Sequence, residues 1–175
     1  MYSKELAVPQ DVQLEILGNK VKVKGAKGEI EKRLIYEKDI NIEKIDGKVK
    51  VSSESDRRHF KAVVGSVIAH VRNMVDGVTK GYTYKLRVVY SHFPVTVKVE
   101  GKKVLVQNFL GERISRVAKA VGNVQVKVDG ADITVTGIDV DDVSRTAANI
   151  EQCTRITGRD RRIFQDGCWI ISKGE

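Results

Sequence analysis

The chain contains one stretch of sequence twice, in register and at a constant spacing, and this duplication limits its possible folds more than any other feature. Residues 12–29 align with residues 95–112. The identical pairs are Val12/Val95, Gly18/Gly101, Lys20/Lys103, Val21/Val104, Val23/Val106, Gly28/Gly111 and Glu29/Glu112. Positions shared by two copies describe a common scaffold, so we expect functional differences where the copies diverge.

The length determines how the copies can be arranged. A chain of 175 residues holds two units of roughly 80 residues each, near the lower size limit of an independently folding domain. We therefore predict an α+β protein with two tandem duplicated domains, each a small, mainly antiparallel β-sheet covered by one α-helix. The predicted boundaries are an N-terminal domain at 1–80, a C-terminal domain at 81–157 and a basic C-terminal tail at 158–175.

Hydrophobic alternation in both halves predicts strands that are wet on one face. Gly18-Asn19 and Asp46-Gly47 are typical hairpin turns in the first half. The predicted strand segments are 12–16, 21–23, 49–51, 95–99, 104–106, 124–128 and 133–135.

Each half is predicted to contain one main helix. In the first half, apolar residues recur every three or four positions after Ser53 or Ser55, and Gly77 is the predicted stop. In the second half, Asp139 and Asp142 form a helix start that resembles a capping box. Asp139, Asp141 and Asp142 also resemble a metal site, but a helix cap explains them more simply because carboxylates stabilise the positive end of a helix.

Two connecting segments carry groups of basic and aromatic residues that are candidates for contact with a partner. Residues 111–122 predict a short helix with Ile114, Val117, Ala118 and Val121 on one side, and residues 77–87 predict a short interdomain linker. The basic side of the short helix is either a solvated face or a phosphate-facing stripe. The basic and aromatic candidates in these segments are Arg113, Arg116, Lys119, Lys80, Tyr82 and Lys85.

The charge of the chain favours a polyanionic partner. The net charge is +8 and the isoelectric point is about 9.5. Residues 1–80 hold 16 basic and 12 acidic residues and residues 81–175 hold 15 and 11, so the halves carry equal net charge. Arginine is unequal, with four in the first half and eight in the second. Guanidinium groups pair with phosphate bidentately and stack on bases, which favours the second half as the RNA-binding part.

The strongest cluster follows the second helix, where Arg155, Arg159, Arg161 and Arg162 surround Gly158. Such a cluster on a basic domain is typical of a phosphate-binding surface. The structural alternative is a C-terminal strand that docks on its own domain. Both interpretations hold if the apolar residues of the segment pack against the domain while the arginines face outward.

Other classes of function have little support in the sequence. His59, His70 and His92 are scattered, without a neighbouring nucleophile or paired carboxylate, so we expect no enzyme and no catalytic residues. Cys153 and Cys168 lack metal-ligand spacing and are predicted to be reduced thiols, with no metal and no cofactor. No secretory signal or membrane-spanning segment is visible, so we expect a cytoplasmic protein that does not bind a membrane. We also expect no small-molecule substrate.

Three stretches together resemble one known family over essentially the whole chain. They are NMVDGVTKGYTYKLRVVYSHFPV at 73–95, GIDVDDVSRTAANIEQCTRI at 137–156 and GRDRRIFQDGCWI at 158–170. The chain is similar to the large-subunit ribosomal protein six family of the archaeal and eukaryotic type. The resemblance implies a non-catalytic component of the large ribosomal subunit with two similar sheet-plus-helix domains.

The resemblance also implies partners and a binding surface. It implies contact with large-subunit ribosomal RNA near the sarcin-ricin loop, chiefly through the C-terminal domain and tail. Neighbouring large-subunit ribosomal proteins are further implied partners, with translation factors docking nearby. It implies positioning roles for Arg155, Arg159, Arg161 and Arg162, with the linker and short-helix candidates as weaker contacts. The competing hypotheses are a free-standing RNA-binding adaptor and a small hydrolase built on Asp139, Asp141 and Asp142.

Overall fold

A computed structural model of the chain divides into two units, one that extends to Gly81 and one that begins at Tyr82. The structure describes residues 2–18, 20–34, 40–45 and 47–174. Asn19 and Asp46, each part of a predicted hairpin turn, lie outside the described residues. Each unit is a set of antiparallel sheets with a helix, so the predicted fold class is confirmed.

In its described residues, the first unit has two three-stranded antiparallel sheets and one helix. The sheet orders are β1-β6-β5 and β2-β3-β4. Val21 and Val23 of β3 are fully buried while their neighbours Lys20 and Lys24 are exposed, which is the alternation expected of a strand with one wet face. The elements are β1 Tyr2–Ala7, β2 Gln13–Leu17, β3 Lys20–Gly25, β4 Gly28–Arg33, β5 Ile40–Ile45, β6 Lys48–Ser53 and α1 Arg58–Thr79.

Helix α1 is displaced from its predicted ends. It begins at Arg58 and continues through the predicted stop at Gly77 to Thr79. The chain leaves the helix at Gly81, whose φ of 76° is the left-handed conformation that glycine accepts readily. The turn between β3 and β4 supports the extra residues, because the backbone N–H of Lys27 donates to the Val78 carbonyl at 2.9 Å and its Nζ donates to the Lys80 carbonyl.

The second unit, all of it described up to residue 174, repeats this plan and adds one strand. Its sheet orders are β10-β9-β8 and β11-β12-β7-β13. The added strand is β13, which pairs with β7 and makes β7 an inner strand of its sheet. Strand β1, which corresponds to β7 in the first unit, lies at the edge of its sheet. The elements are β7 Tyr82–Val89, β8 Thr96–Glu100, β9 Lys103–Gln107, β10 Arg116–Lys119, β11 Gln125–Asp129, β12 Asp132–Gly137, α2 Val140–Cys153 and β13 Gly167–Ser172, with a 3-10 turn at Phe109–Gly111.

Helix α2 covers the four-stranded sheet and completes the core of this unit. Ile150 of α2 is fully buried, as are Leu86 of β7 and Ile133 of β12. Asp139 caps the helix, since its carboxylate accepts a hydrogen bond from the Asp141 N–H at 2.9 Å. The predicted helix start is therefore confirmed. Among the described residues, neither helix is long and apolar enough to cross a membrane.

Two predicted connecting segments have different structures. The predicted linker at 77–87 is wrong, because residues 77–79 belong to α1 and residues 82–87 belong to β7, an inner strand of the four-stranded sheet. The predicted helix at 111–122 is also wrong. Left-handed backbone at Leu110 and Gly111 breaks any helix there, and the chain then pairs with β9 as strand β10.

Candidate RNA-binding surface

Four of the predicted RNA-contacting arginines lie in one loop of the second unit. This segment, residues 154–166, joins α2 to β13 and is called the arginine loop below. At Gly158 the φ is 72°, and an added Cβ would meet nothing within 4 Å, so the backbone there is open to a close approach. The arginines of the loop, all exposed, are Arg155, Arg159, Arg161 and Arg162.

Hydrogen bonds tie the two ends of the arginine loop together. The Thr154 hydroxyl donates to the Glu151 carbonyl at 2.9 Å and accepts from the Cys168 N–H at 3.0 Å. The Glu151 carboxylate accepts from the Ile170 N–H at 3.3 Å. These contacts join the end of α2 to the start of β13, so the loop is closed at its base.

A buried carboxylate fixes the second end of the loop. Asp166 has no exposed side-chain surface, and its Oδ1 accepts from the Ser91 hydroxyl at 2.9 Å and from the Ser91 N–H at 3.3 Å. His92 Nδ1 lies 3.5 Å from the same oxygen. Burial raises the pKa of Asp166, but the hydrogen bonds from Ser91 and His92 outweigh it and hold the pKa below its usual value. Nothing in the sequence indicated this pairing.

The arginines of the loop differ in how their charge is used. Arg162 Nη2 lies 2.8 Å from Asp160 Oδ2, and this hydrogen bond lowers the pKa of Asp160. The Arg159 guanidinium lies 4.8 Å from the centre of the Phe164 ring. Within the part of the chain that the structure describes, Arg155 and Arg161 form no ion pair. Two guanidinium groups of the loop are therefore available to a phosphate without breaking an internal contact.

Arg116, at the start of β10, is engaged inside its own unit. Its Nη2 lies 2.6 Å from Glu112 Oε1, and its Nη1 donates to the carbonyls of Cys153 and Arg155, at 3.0 Å each. Its guanidinium also lies 4.5 Å from the centre of the Phe109 ring. Arg116 therefore binds carbonyls that the end of α2 leaves without helical partners. Its predicted RNA contact stays a prediction beside this observed structural role.

The other basic residues near β10 are exposed. Arg113 precedes the strand and Lys119 ends it, and neither side chain forms an ion pair with the residues described here. The Lys119 carbonyl accepts from the Asn149 amide at 2.9 Å, which ties β10 to α2. Because the segment is a strand, Arg116 points inward and the predicted helical stripe of three cations is not formed.

The remaining candidates lie outside the arginine loop. Lys80 directly follows α1 in the first unit, and its backbone N–H caps the helix by donating to the Asp76 carbonyl at 2.8 Å. Tyr82 begins β7 and is half-buried, while Lys85 is exposed on the same strand. Their roles in RNA binding stay predictions.

The acidic residues at the start of α2 serve the helix. The carboxylate of Asp139 is occupied by the cap, and Asp141 and Asp142 lie in the first turn, where negative charge is favourable. Across residues 2–174, leaving out the positions that the structure does not describe, no three His, Cys, Asp or Glu side chains are placed to hold a metal ion.

Comparisons with known proteins agree with the duplicated architecture. The family described as ribosomal protein L6 matches the chain in two segments, residues 8–81 and 93–167. Three relatives share the description large ribosomal subunit protein uL6. The one from Ignicoccus hospitalis is 48% identical over 95% of this chain and 91% of the relative. That from Sulfurisphaera tokodaii is 50% identical over 97% and 91%, and that from Methanothrix thermoacetophila is 46% identical over 97% and 96%. The chain is a member of the ribosomal protein L6 family.

Proposed function

We propose that this protein is a structural component of the large ribosomal subunit and binds large-subunit ribosomal RNA near the sarcin-ricin loop and the translation-factor site. The main contact is the second unit with its arginine loop. Family membership supports the subunit, because the relatives named above are large-subunit ribosomal proteins. The equal net charge of the two halves cannot select a binding side, so the choice of unit depends on geometry.

The observation that carries this proposal is the state of the arginine loop. It presents four exposed arginines on a segment fixed at both ends, and two of them have neither an ion pair nor a ring contact among the described residues. A fixed loop loses little conformational freedom on binding, so its guanidinium groups can bind phosphate at low entropic cost. Their planar, bidentate geometry matches phosphate oxygens.

The mechanism is recognition of folded RNA through its backbone. Arginine side chains contact phosphates and sugars and fix the register of the protein on the RNA. The open backbone at Gly158 allows a phosphate to approach closely. The first unit serves as a spacer toward neighbouring ribosomal proteins of the subunit, and the function requires no catalytic group.

The test compares charge removal in the two units. In the Arg155→Ala/Arg161→Ala variant we expect weaker binding to large-subunit ribosomal RNA and a salt dependence that is shallower by about two units of log–log slope, roughly one per lost phosphate contact. Affinity is measured between 50 and 300 mM salt, on the order of the range in which counterion release dominates. Arg162→Ala should have a smaller effect, because Asp160 already neutralises that arginine.

The control removes the same number of charges from the first unit. Lys20→Ala/Lys22→Ala should leave the slope unchanged, because both lysines are paired with glutamates on β4.

A second measurement locates the binding site on the RNA. Hydroxyl-radical probing of the complex should show protection at the sarcin-ricin loop. An unchanged slope for the loop variant would remove the arginine loop from the interface. Loss of the intact protein from large subunits in a high-salt wash would favour a free-standing adaptor instead.

A further inference from the structure

The arginine loop, the end of α2 and the start of β13 surround a cavity of about 880 Å³ in the second unit. This volume lies within the roughly 300–1,000 Å³ of sites that hold small organic ligands. The lining residues that matter most below are Arg155, Arg161, Arg162, Gln165 and Trp169.

One wall of the cavity is an aromatic ring held in a fixed position. Trp169 is 39% exposed, and its Nε1–H donates to the Gln165 carbonyl at 3.2 Å. A Cβ at Gly167 would lie 3.3 Å from that nitrogen, so the ring rests against the glycine backbone. An immobilised and partly exposed indole offers a stacking surface that any nucleobase can use.

The polar lining selects a ligand that carries negative charge. Arg155 and Arg161 line the cavity without an ion pair in the described residues, and Arg162 shares its charge with Asp160. Two carboxylates also lie in the lining and are outnumbered by the three arginines. Glu151 Oε1 accepts from the Ile170 N–H and Asp166 Oδ1 accepts from Ser91, while the buried Oδ2 of Asp166 has no hydrogen-bond partner among the described residues. Guanidinium groups beside a stacking ring can hold both parts of a nucleotide, the phosphate and the base.

The walls of the cavity are formed before a ligand arrives. The bond from the Cys168 N–H to Thr154 Oγ1, at 3.0 Å, holds the start of β13 against the end of α2. Buried Asp166 holds the adjacent residues of the loop to Ser91. A preformed site needs little ordering when it binds.

From these contacts we infer that the cavity receives one unstacked nucleotide of the bound RNA, with its base against Trp169 and its phosphate on Arg155 or Arg161. The inference rests on the proposed RNA binding and adds a subsite to it. Proteins read folded RNA at loops and bulges, whose unpaired bases turn outward and stack on aromatic side chains. The same chemistry could accept a free mononucleotide, and the experiment separates the two sources.

The chain has a single tryptophan, so its fluorescence reports on this wall alone. The full chain is titrated with deproteinised large-subunit ribosomal RNA and, separately, with AMP. Stacking should quench Trp169 in step with RNA binding, while AMP should quench only at concentrations at least a hundredfold higher. Equal quenching by AMP and RNA at the same concentration would make a free nucleotide the ligand and overturn the inference.

Variants test whether the ring contributes to affinity. Trp169→Ala should weaken binding to the ribosomal RNA about tenfold, the usual effect of losing one stacked base, whereas Trp169→Phe should restore most of the loss. Ile171→Ala is the matched control, because it removes an exposed apolar side chain of β13 outside the cavity lining.

The possible failures are distinguishable. If RNA binds but neither Trp169 fluorescence nor the affinity of Trp169→Ala changes, the nucleotide subsite is wrong and the RNA-binding function stands. If the intact chain does not bind large-subunit ribosomal RNA, the proposed function fails and the subsite falls with it. Stacking would also be excluded if Trp169→Ala and Trp169→Phe weakened RNA binding equally and the Trp169 fluorescence of the native chain did not change on RNA binding.

Discussion

The two units place different side chains at one matched position. In the first unit, Ile30 of β4 lies opposite Val23 and is buried. In the second, Arg116 of β10 lies opposite Val106, the repeat partner of Val23. The isoleucine fills the core, whereas the arginine passes Phe109 and binds carbonyls at the end of α2. The second unit thus has a polar contact that fixes the start of its arginine loop, and the first unit has apolar packing instead.

The units also differ in how their charges are used. On the first unit, Lys22 lies 2.7 Å from Glu29 and Lys20 lies 3.1 Å from Glu31, so these lysines on β3 are matched by carboxylates on β4. On the second unit, Arg155 and Arg161 have no such partners in the described chain. The two halves therefore have equal net charge but differ in how many of their basic side chains are available to bind phosphate. Four predictions test whether this contrast explains stability and RNA binding.

The largest effect is expected at Asp166, the buried carboxylate that anchors the arginine loop of the second unit to Ser91. Asp166→Ala should lower the free energy of unfolding of the second unit by about 3 kcal/mol, because it removes both hydrogen bonds that Ser91 donates to the buried carboxylate. Both cysteines lie in this unit, and burial raises the pKa of the Cys168 thiol to about 12, so alkylation of Cys168 at neutral pH reports opening. Asp160→Ala, which removes an exposed carboxylate of the same loop, is the control. Unchanged alkylation in Asp166→Ala would contradict the anchor.

The anchor should also leave a signature in acid. Because the folded pKa of Asp166 is below its usual value, its carboxylate contributes stability above the unfolded pKa of about 4. That contribution is lost as pH falls through the folded pKa. Unfolding of the native chain should therefore depend more steeply on pH below about 4 than unfolding of Asp166→Ala does.

An intermediate effect is expected at Arg116. Arg116→Ala should reduce the free energy of unfolding by about 1–2 kcal/mol, since it removes two hydrogen bonds to carbonyls and the contact with Glu112. Arg116→Met keeps most of the stem against Phe109 and isolates the polar part of the loss. Arg113→Ala removes a nearby exposed arginine and should leave unfolding in urea unchanged. A stability of Arg116→Ala equal to that of Arg113→Ala would show that the contacts of Arg116 contribute nothing.

The smallest effect is expected in the first unit. Glu29→Gln/Glu31→Gln releases Lys22 and Lys20 from their ion pairs, and exposed pairs of this kind contribute little to stability. If the first unit is a spacer, affinity for large-subunit ribosomal RNA should change less than about twofold. A tenfold gain in RNA affinity would show that this surface of the first unit contacts the RNA. The two units would then differ only in whether glutamates neutralise their basic residues.

The sequence was sufficient to predict the scaffold because the duplication and the alternation are local patterns. Val21 and Val104 mark the same buried position in both copies, and Asp139 caps α2 as its spacing indicated. The prediction of a helix at 111–122 was wrong for a physical reason. Apolar residues at Ile114, Val117 and Val121 fit a helix, and the periodicity contains no information about the left-handed turn before them.

The site was only partly predictable. Clustering of arginines is visible in the sequence, but whether each charge is available depends on distant partners. Asp166 meets Ser91 across 75 positions of chain, and Arg116 binds the end of α2 only because β10 pairs with β9 in this register. Long-range pairings of this kind have no local signal, so the sequence alone could not separate Arg162, which is paired with Asp160, from Arg155 and Arg161, which have no ion pair among the described residues.

The pairing of β13 with β7 has a consequence for the order of folding. The hairpins β8-β9 and β11-β12 join neighbours in the chain, whereas β13 must find a partner strand that lies most of the unit away. Closing so long a span costs entropy before any contact repays it, and such pairings are slow. A nascent molecule therefore forms its helices and hairpins first, and the pairing of β13 that closes the arginine loop comes last.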